Sequence, residues 1–329
     1  MRYIIYGAGA IGGTIGARLT LTGANVLLVA RGDHYARLAT HGLTYRSPDL
    51  TETLQIPVVD HPDRIVFNSD DVLLLTMKSQ HTEAALETLA RVAPPDLAII
   101  CAQNGVANEA MAGRKFRRVY GMVVMLPATH LIAAEVLHHA TGIGGVLDVG
   151  RYGSGVDACI HQVAADLTRA GFLCAADPRP MRWKYAKLLQ NLGNAFQAVC
   201  TPGPRDRDIM ALVRQEALSC YAAANIDCAT RDEVKARQGG ITLGAIDGIE
   251  HRGGSSWQSL SRGTGDIEAD YLNGEICLLG KQHGVATPAN ELLRYLANQA
   301  AFQRAAPGQF SGDQFLSMLE ASVHHAENL

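Results

Sequence analysis

The sequence lacks any long apolar run, and it has little charge of one sign. Its 329 residues include 29 Lys and Arg against 32 Asp and Glu, which gives a formal net charge of -3. Nucleic-acid-binding domains typically carry a basic excess, and a membrane-spanning helix needs about 20 consecutive apolar residues. We therefore expect neither a nucleic-acid partner nor a membrane partner.

Close cysteine pairs are also missing. The seven cysteines are scattered, odd in number and without CxxC spacing. The pairs His138-His139 and His324-His325 have no third ligand at a suitable distance along the chain. This usage is typical of thiols in a reducing cytoplasm, and the chain begins with an apolar strand pattern rather than a signal peptide. We expect a cytoplasmic protein with no disulfide framework and no metal.

The first 31 residues contain the clearest motif. The apolar run Tyr3–Tyr6 predicts a buried strand, and Gly7, Gly9 and Gly12 follow it in GxGxxG spacing. Helical periodicity comes next, and Val26–Val29 predicts a second strand. A GxGxxG motif that follows a strand and opens a helix inside a βαβ unit indicates a dinucleotide-binding loop. The alternative is a glycine-rich turn without a ligand.

Each glycine of the motif has a physical role in that interpretation. The first permits the tight turn, the second lets the backbone approach a pyrophosphate, and the third lets the helix pack on the sheet. The helix start adds free N–H groups and the positive end of the dipole. The predicted pyrophosphate-binding residues are Gly7, Ala8, Gly9, Ala10, Ile11 and Gly12.

The end of the second strand indicates which dinucleotide is bound. Arg31 stands where an NAD site usually has an acidic residue for the ribose 2′-hydroxyl, and an arginine favours a 2′-phosphate. The sequence therefore predicts NADP(H). Asp33 is a competing ribose ligand, and an arginine at a strand end is often only a solvated charge.

Two further strands, predicted at 72–77 and 97–101, are followed by polar residues. In an open α/β sheet, ligands bind beyond the carboxyl ends of the strands. Lys78 and Asn104 are therefore expected to meet the cofactor or the substrate. The alternative for each is a loop residue that turns the chain.

The remaining pattern predicts a Rossmann-type doubly wound sheet followed by an all-helical C-terminal domain. Strands at 119–126, 135–138 and 145–150 are expected to complete the sheet in antiparallel fashion, before a helix at 155–170 and a strand near 172–175. A proline-bearing break at Asp177 separates an NADP-binding domain, 1–178, from a substrate and catalytic domain, 179–329. Predicted helices in the second domain lie at 181–199, 206–224, 266–283 and from about 291, with a loop and a short helix in 239–262.

Polar residues on the first of these helices form a candidate site. Lys187, Asn191 and Asn194 are spaced i, i+4 and i+7, which places them on one helix face. They form either a solvated face or a site where the lysine donates a proton and the amides bind a polar substrate. Ser256 and Glu268 are further candidates, although a serine at a helix start usually caps it and an early glutamate usually meets the helix dipole.

Taken together, these motifs resemble those of the ketopantoate reductase (2-dehydropantoate 2-reductase) family. The matches run in order through nearly the full length of the chain: GxGxxG, Lys78 in Met-Lys-Ser-Gln, Asn104 in Gln-Asn-Gly-Val, Lys187 four residues before Asn191, Ser255-Ser256-x-Gln, Glu268-x-Asp-Tyr-x-Asn-Gly and Gly284-Val-x-Thr-Pro-x-Asn.

The resemblance implies NADPH-dependent reduction of a 2-keto acid to a 2-hydroxy acid, foremost 2-dehydropantoate to pantoate in pantothenate biosynthesis. It implies that Lys187 is the general acid and Glu268 its partner carboxylate. It also implies that Asn104, Asn191 and Ser256 bind cofactor or substrate, that Lys78 lies near the cofactor, and that Arg31 selects NADPH. Asn194, one residue before the place of the family's second asparagine, is predicted to bind substrate from its position on the helix face. A homodimer is an expectation drawn from the helical domain.

Several departures keep other functions open. Ala195 stands where the family commonly has a second asparagine, and Gly253-Gly254 precede the serines where an asparagine is usual. Trp257 is bulky, and Arg252 is a candidate clamp for a carboxylate, though a loop arginine is more often solvated. The alternatives are a related oxidoreductase acting on another 2-keto acid and a non-catalytic NADP(H)-binding sensor.

Overall fold

The computed structural model describes residues 1–247, 253–263 and 265–327, with side chains described up to residue 322. Contacts between Cα atoms divide the chain into two compact units. The first unit comprises Met1–Lys184 and Ala229–His251, and the second comprises Tyr185–Cys228 and Arg252–Leu329. The chain thus returns once to the first unit. The functional domains 1–178 and 179–329 remain a prediction.

Strands and helices alternate through most of the first unit. In chain order they are β1 (Arg2–Tyr6), α1 (Ala10–Leu21), β2 (Asn25–Val29), α2 (Gly32–His41), β3 (Leu43–Arg46), β4 (Thr51–Leu54), β5 (Val58–Val59), β6 (Asp71–Leu75), α3 (Thr82–Ala90), β7 (Ala98–Cys101), α4 (Asn108–Gly113), β8 (Arg118–Met122), β9 (Ala128–Thr129), β10 (Glu135–His138), β11 (Ala140–Gly142), β12 (Val149–Arg151) and α5 (Ala158–Arg169). Short 3-10 helices lie at Pro62–Arg64 and Ser79–His81.

The main sheet has the strand order β12-β8-β7-β6-β1-β2-β5. Strand β1 is parallel to both of its neighbours, β2 and β6, and β7 and β8 continue the parallel run. Only β12 at the edge is antiparallel, to β8. Successive strand residues face opposite sides, so Tyr3 and Ile5 pack in one core cluster while Ile4 packs in the other. This confirms the predicted Rossmann-type sheet. The strands that follow β1 in the chain are added first on one side of it, as β2 and β5, and then on the other, as β6, β7 and β8, so the topological switch point lies beside β1.

Some predicted strands are placed differently. β10 does not join the main sheet: it belongs to a second sheet with the order β4-β3-β10-β9, in which β10 runs parallel to β3. β8 is parallel to β7, so only β12 bears out the antiparallel completion. The segment near 172–175 forms only isolated bridges, at Leu173 and Ala176. The sequence analysis missed β3, β4 and β5, because all three are short and because β3 and β4 also contain polar residues.

Helix α6 (Pro180–Asn191) runs from the first unit into the second, and the following elements are mostly helical. They are α7 (Gly193–Val199), α8 (Asp206–Ala223), α9 (Arg231–Gln238), β13 (Ile241–Leu243), α10 (Ser255–Ser261), a 3-10 helix at Glu268–Tyr271, α11 (Asn273–His283), α12 (Pro288–Phe302) and α13 (Gly312–Glu327). In the part of the chain that the structure describes, none of these helices is long and apolar enough to cross a membrane.

Four predictions for this region were wrong in detail. The single helix expected at 181–199 is interrupted at Leu192, and the one expected at 266–283 begins as a 3-10 helix and becomes α-helical only at Asn273. α12 starts at Pro288, three residues before the predicted Glu291, because proline is well suited to the first turn of a helix. β13 lies in a predicted loop and pairs with β11.

Candidate active site

Two glycines of the GxGxxG motif are required by the packing of the first unit itself. Gly7 has a φ of +108°, and a Cβ there would lie 2.8 Å from the backbone nitrogen of Met77. A Cβ on Gly12 would lie 2.3 Å from the Gly7 carbonyl oxygen and 2.4 Å from Thr76 Oγ1. Any side chain at either position would therefore push the strand-to-helix turn away from β6.

Gly9 differs from both, since a Cβ there would meet no atom within 4 Å. The packing of the chain does not demand glycine at this position, and its open side suits the approach of a ligand. Helix α1 begins directly after Gly9, with no side-chain cap and no acidic residue in its first turn. The start of α1 therefore fits an anionic group such as a pyrophosphate.

Thr76 fixes the turn of this loop from the neighbouring strand. Its Oγ1 lies 3.0 Å from the Tyr6 carbonyl oxygen and 2.8 Å from that of Gly7. The sequence analysis placed Thr76 inside a strand at 72–77, whereas β6 ends at Leu75. Its role was missed because the contact joins residues 70 positions apart, and no local pattern reports it.

Arg31 lies at the start of α2, in extended backbone with a φ of -135°. Its side chain is exposed and makes no ion pair with any residue that the structure describes. Asp33, the competing ribose ligand, instead forms an ion pair with Arg37 at 3.1 Å. This leaves Arg31 as the available charged group at the end of β2.

Asn104 follows β7 and is held by its backbone. Its carbonyl oxygen accepts hydrogen bonds from Ser79 Oγ at 3.3 Å and from Asn108 Nδ2 at 3.1 Å. Gln103 Nε2 donates to the Met77 carbonyl at 2.9 Å, so the loops after β6 and β7 are joined. Within the described residues, no hydrogen bond of the Asn104 side-chain amide is found, and that amide is available to a ligand.

A buried ion pair supports the same loop. Lys184 Nζ lies 2.5 Å from Glu109 Oε1, and both side chains are almost fully buried. Lys184 also donates to the Gln103 carbonyl at 3.0 Å. Burial raises the pKa of Glu109, and the Lys184 ammonium opposes that rise. Sequence reasoning missed this pair; a lysine and a glutamate 75 positions apart give no signal of their contact.

Lys78 begins the turn after β6, and the structure places it half-buried before the 3-10 helix Ser79–His81. It has extended backbone, with φ of -66° and ψ of 149°. Its predicted role near the cofactor stays a prediction.

In the second unit, Lys187 is the principal titratable candidate. It lies one turn from the end of α6, and its Nζ contacts Gln190 Oε1 at 3.3 Å. Burial lowers the pKa of Lys187 to about 8, because a low-dielectric surrounding disfavours the ammonium form. A lysine with such a pKa can give up a proton near neutral pH.

Two polar atoms of this unit are buried without a partner. Asn191 is 5% exposed and Ser256 is 1% exposed. Neither Asn191 Nδ2 nor Ser256 Oγ has a hydrogen-bond partner among the residues described. Buried polar groups are nearly always hydrogen-bonded, so an unpaired donor and an unpaired hydroxyl indicate a place for a polar ligand or water.

Asn194 makes a contact within the chain. Its Nδ2 donates to Ser255 Oγ at 3.3 Å, which joins α7 to the first turn of α10. A Cβ on Gly254 would lie only 2.7 Å from Asn194 Oδ1. Glycine at this position thus permits the close approach of Asn194. The substrate-binding role of Asn194 stays a prediction.

The break at Leu192 separates Asn191 from Asn194. Asn273 Nδ2 donates to the Leu192 carbonyl at 3.2 Å, and it also donates to Asn290 Oδ1 at 3.0 Å. Asn290 Nδ2 in turn donates to Glu216 Oε2 at 2.7 Å. Asn273 and Asn290 stood in the family motifs without an assigned role, and their contacts show that they hold the junction between α6 and α7.

Glu268 begins the 3-10 helix Glu268–Tyr271 and is 5% exposed. A carboxylate buried to this degree needs polar or charged partners, which suits a position within a site. Its pairing with the catalytic lysine stays a prediction. Arg252, the candidate carboxylate clamp, lies outside the described residues.

A glycine-loop βαβ unit followed by a helical unit with a half-buried lysine of lowered pKa is the layout of a class of pyridine-nucleotide-dependent reductases. Within that class, the chain belongs to the ketopantoate reductase family. The model described as Ketopantoate reductase PanE/ApbA matches residues 3–153, and the model described as Ketopantoate reductase PanE/ApbA C terminal matches residues 181–301. A 2-dehydropantoate 2-reductase of Mesorhizobium japonicum is 32% identical over 339 residues, which covers 92% of this chain and 99% of that protein.

Solved structures share the fold. A PanE/ApbA family ketopantoate reductase from Ralstonia eutropha JMP134 has a TM-score of 0.77 at 22% identity, covering 92% of this chain and 99% of its own. A D-mandelate dehydrogenase, solved with NADH and anilino(oxo)acetate, has a TM-score of 0.79 at 21% identity, with the same coverage. A dimeric ketopantoate reductase from Staphylococcus aureus has a TM-score of 0.71 at 18% identity, covering 93% and 100%.

Proposed function

We propose that this protein reduces a 2-keto acid to a 2-hydroxy acid with NADPH, and that its substrate is 2-dehydropantoate. The observation that carries the proposal is the set of polar groups in the second unit. It combines Lys187, whose pKa burial lowers to about 8, with the buried and unpartnered atoms Asn191 Nδ2 and Ser256 Oγ. Family membership supports the reaction class.

The chain's own residues account for binding the dinucleotide. The open side of Gly9 and the uncapped start of α1 suit a pyrophosphate, and Arg31 suits a 2′-phosphate. When bound, NADPH supplies the hydride. Asn104 and Lys78, on the loops after β7 and β6, then bind at the nicotinamide end, where the carboxyl ends of the strands lie.

The acid is Lys187. As the carbonyl carbon is reduced, negative charge develops on the carbonyl oxygen, and the Lys187 ammonium stabilises it and delivers the proton. A pKa of about 8 leaves the lysine protonated at neutral pH yet ready to release the proton. Glu268 orients the ammonium through a charge-assisted hydrogen bond, while Asn191 and Ser256 fix the polar groups of the substrate.

A second candidate is the same reaction on another 2-keto acid. Ala195 replaces a family asparagine, and the ring of Trp257 covers Gly253, where a Cβ would lie 2.7 Å from the indole. These differences alter the surroundings of Ser256 without removing the acid. A non-catalytic NADP(H) sensor is less well supported, since it would have no use for a lysine of lowered pKa such as Lys187.

Turnover assays test the proposal. Loss of NADPH absorbance would be followed with 2-dehydropantoate and with a panel of aliphatic and aromatic 2-keto acids, using wild-type protein and the Lys187→Ala variant. Fast turnover of 2-dehydropantoate that the variant loses would support the proposal. Turnover of a different keto acid would support the second candidate. Tight NADPH binding without turnover would favour the sensor.

We also propose a homodimer formed through the second unit. Tyr295 and Phe302 on α12 are seven residues apart, and their side chains are 56% and 83% exposed. Large apolar side chains on one helix face are typical of an interface between subunits. Light scattering of wild-type protein and of Phe302→Ser tests this. A mass of two chains for wild type and of one for the variant is expected, and a monomeric wild-type protein would contradict the proposal.

A further inference from the structure

His34 joins the glycine-rich loop to a distant segment of the first unit. It lies in the first turn of α2, three residues after Arg31. Its Nε2 is 2.8 Å from the Ala8 carbonyl oxygen, and its Nδ1 is 2.9 Å from the Ala134 backbone nitrogen. Ala134 itself has a φ of +63°, which is unusual for a residue other than glycine.

These two contacts determine the proton arrangement of the ring. The backbone N–H of Ala134 can only donate, so Nδ1 accepts and carries no proton. Nε2 therefore carries the proton of the neutral ring and donates it to the Ala8 carbonyl. A second proton on Nδ1 would face the N–H of Ala134, so the observed geometry requires the neutral ring.

The peptide that His34 contacts is central to the predicted cofactor site. It joins Ala8 to Gly9, and the Gly9 N–H donates to the Gly7 carbonyl at 2.8 Å. With the carbonyl bonded to His34 and the N–H to Gly7, both ends of this peptide are fixed. A free carbonyl oxygen near a pyrophosphate would repel the anion, and the imidazole N–H takes up that oxygen's lone pair.

We propose that His34 is a positioning residue for dinucleotide binding: its neutral ring, protonated on Nε2, holds the Ala8–Gly9 peptide in the orientation that accepts the pyrophosphate. The inference rests on the proposed NADPH-binding function. It gives a specific task to a histidine that the sequence motif does not include, and it predicts that protonation of the ring weakens cofactor binding.

Other charged groups surround His34. On its own helix, Asp33 raises its pKa, but Asp33 is also paired with Arg37. From the opposite segment, the His130 ring lies 4.5 Å away between centroids. His130 Nδ1 contacts the Glu135 backbone carbonyl oxygen at 2.9 Å, and the Glu135 side chain pairs with Arg46. Burial is the larger effect and lowers the pKa of His34.

Dinucleotide binding tests the role directly. The Kd values of NADPH and NADH would be measured by fluorescence for wild type, His34→Leu, His34→Gln and the control His41→Leu. His41 is exposed on the last turn of the same helix. His34→Leu leaves the Ala8 carbonyl without its donor, and we expect a 10- to 100-fold weaker Kd, on the order of one lost hydrogen bond beside a charged ligand. His34→Gln retains an N–H donor and should lose much less affinity for the dinucleotides.

The pattern across the two cofactors distinguishes the outcomes. Because NADPH and NADH share the pyrophosphate, His34→Leu should raise the Kd values of both by similar factors. His41→Leu should change neither Kd. Unchanged Kd values in a folded His34→Leu protein would overturn the inference and leave the proposed function intact. Wild-type protein that binds neither dinucleotide would overturn both.

A pH series on NADH decides the question if His34→Leu does not fold. NADH lacks the 2′-phosphate, whose own titration would confuse the result. Wild-type affinity should be constant above the His34 pKa and fall as the pH drops below it, whereas His34→Gln should be much flatter. The same profile for both proteins would contradict a role for the neutral ring.

Discussion

The Lys184 ammonium and the Glu109 carboxylate lie 2.5 Å apart, with 2% and 0% of their side chains exposed. The pair stands directly beneath the loop that carries Asn104, because Lys184 also donates to the Gln103 carbonyl. A buried ion pair of this kind fixes geometry more reliably than it adds stability, but removal of one partner leaves an uncompensated charge.

Loss of one partner should therefore be strongly destabilising. For Lys184→Met we expect the free energy of unfolding to fall by about 3 to 5 kcal/mol, measured by urea denaturation. The matched control is the exposed pair Asp33–Arg37. Asp33→Asn should change the free energy of unfolding by less than about 1 kcal/mol. A change of similar size in both variants would contradict the importance of the buried pair.

The pH dependence of the reduction should report Lys187. Its ammonium form is the proton donor, and burial lowers its pKa to about 8. The kcat for reduction should therefore be constant at neutral pH and decline as the pH rises through about 8. In Lys187→Arg the guanidinium stays protonated and donates poorly, so we expect a low kcat without this alkaline decline. If kcat of Lys187→Arg showed the same alkaline decline, the decline would have to come from the titration of another group.

The lowered pKa of the half-buried Lys187 should also reduce stability. Its folded pKa of about 8 lies below the unfolded value of 10.5, so the unfolded state binds more protons between those pH values. Stability is therefore reduced below pH 8 and recovers as the pH rises towards 10.5. Lys187→Met should increase the free energy of unfolding at neutral pH by about 1 to 3 kcal/mol while removing turnover. A less stable variant would contradict the account of its burial.

Cofactor choice should depend on Arg31. Arg31→Ala should weaken NADPH binding by about 10- to 100-fold, since a charge-assisted contact to the 2′-phosphate contributes about 1.5 to 3 kcal/mol. NADH binding should stay nearly the same. Arg37→Ala, on the same helix and already paired with Asp33, is the control. If Arg31→Ala weakened the binding of NADPH and NADH equally, Arg31 would instead contact a part of the dinucleotide that both cofactors share.

The parts predicted correctly depend on local sequence. GxGxxG spacing needs only the residues of one βαβ unit, so β1, α1 and β2 were predicted closely. Long-range contacts gave no such signal. The Thr76 contact to Tyr6 joins residues 70 positions apart, and the Ala134 contact to His34 joins residues 100 apart.

The candidate site shows the same division. The spacing of Lys187, Asn191 and Asn194 indicated a polar helix face, but it did not reveal that the helix is interrupted between the two asparagines. That interruption is held by Asn273, which is 81 residues from Leu192 in the chain. Likewise, the pairing of β10 with β3 joins strands from separate regions of the chain, so the local pattern at 135–138 predicted a strand but placed it in the wrong sheet.

The most direct test of the central claim is product analysis with NADPH deuterated at the transferable position. Wild-type protein incubated with 2-dehydropantoate should yield pantoate with deuterium on C2, in a one-to-one ratio to NADP formed. Lys187→Met, which we expect to remain folded, should yield almost none. Labelled product at the wild-type rate in that variant would contradict the role of Lys187, and NADPH consumption without a labelled hydroxy acid would contradict the reductase itself.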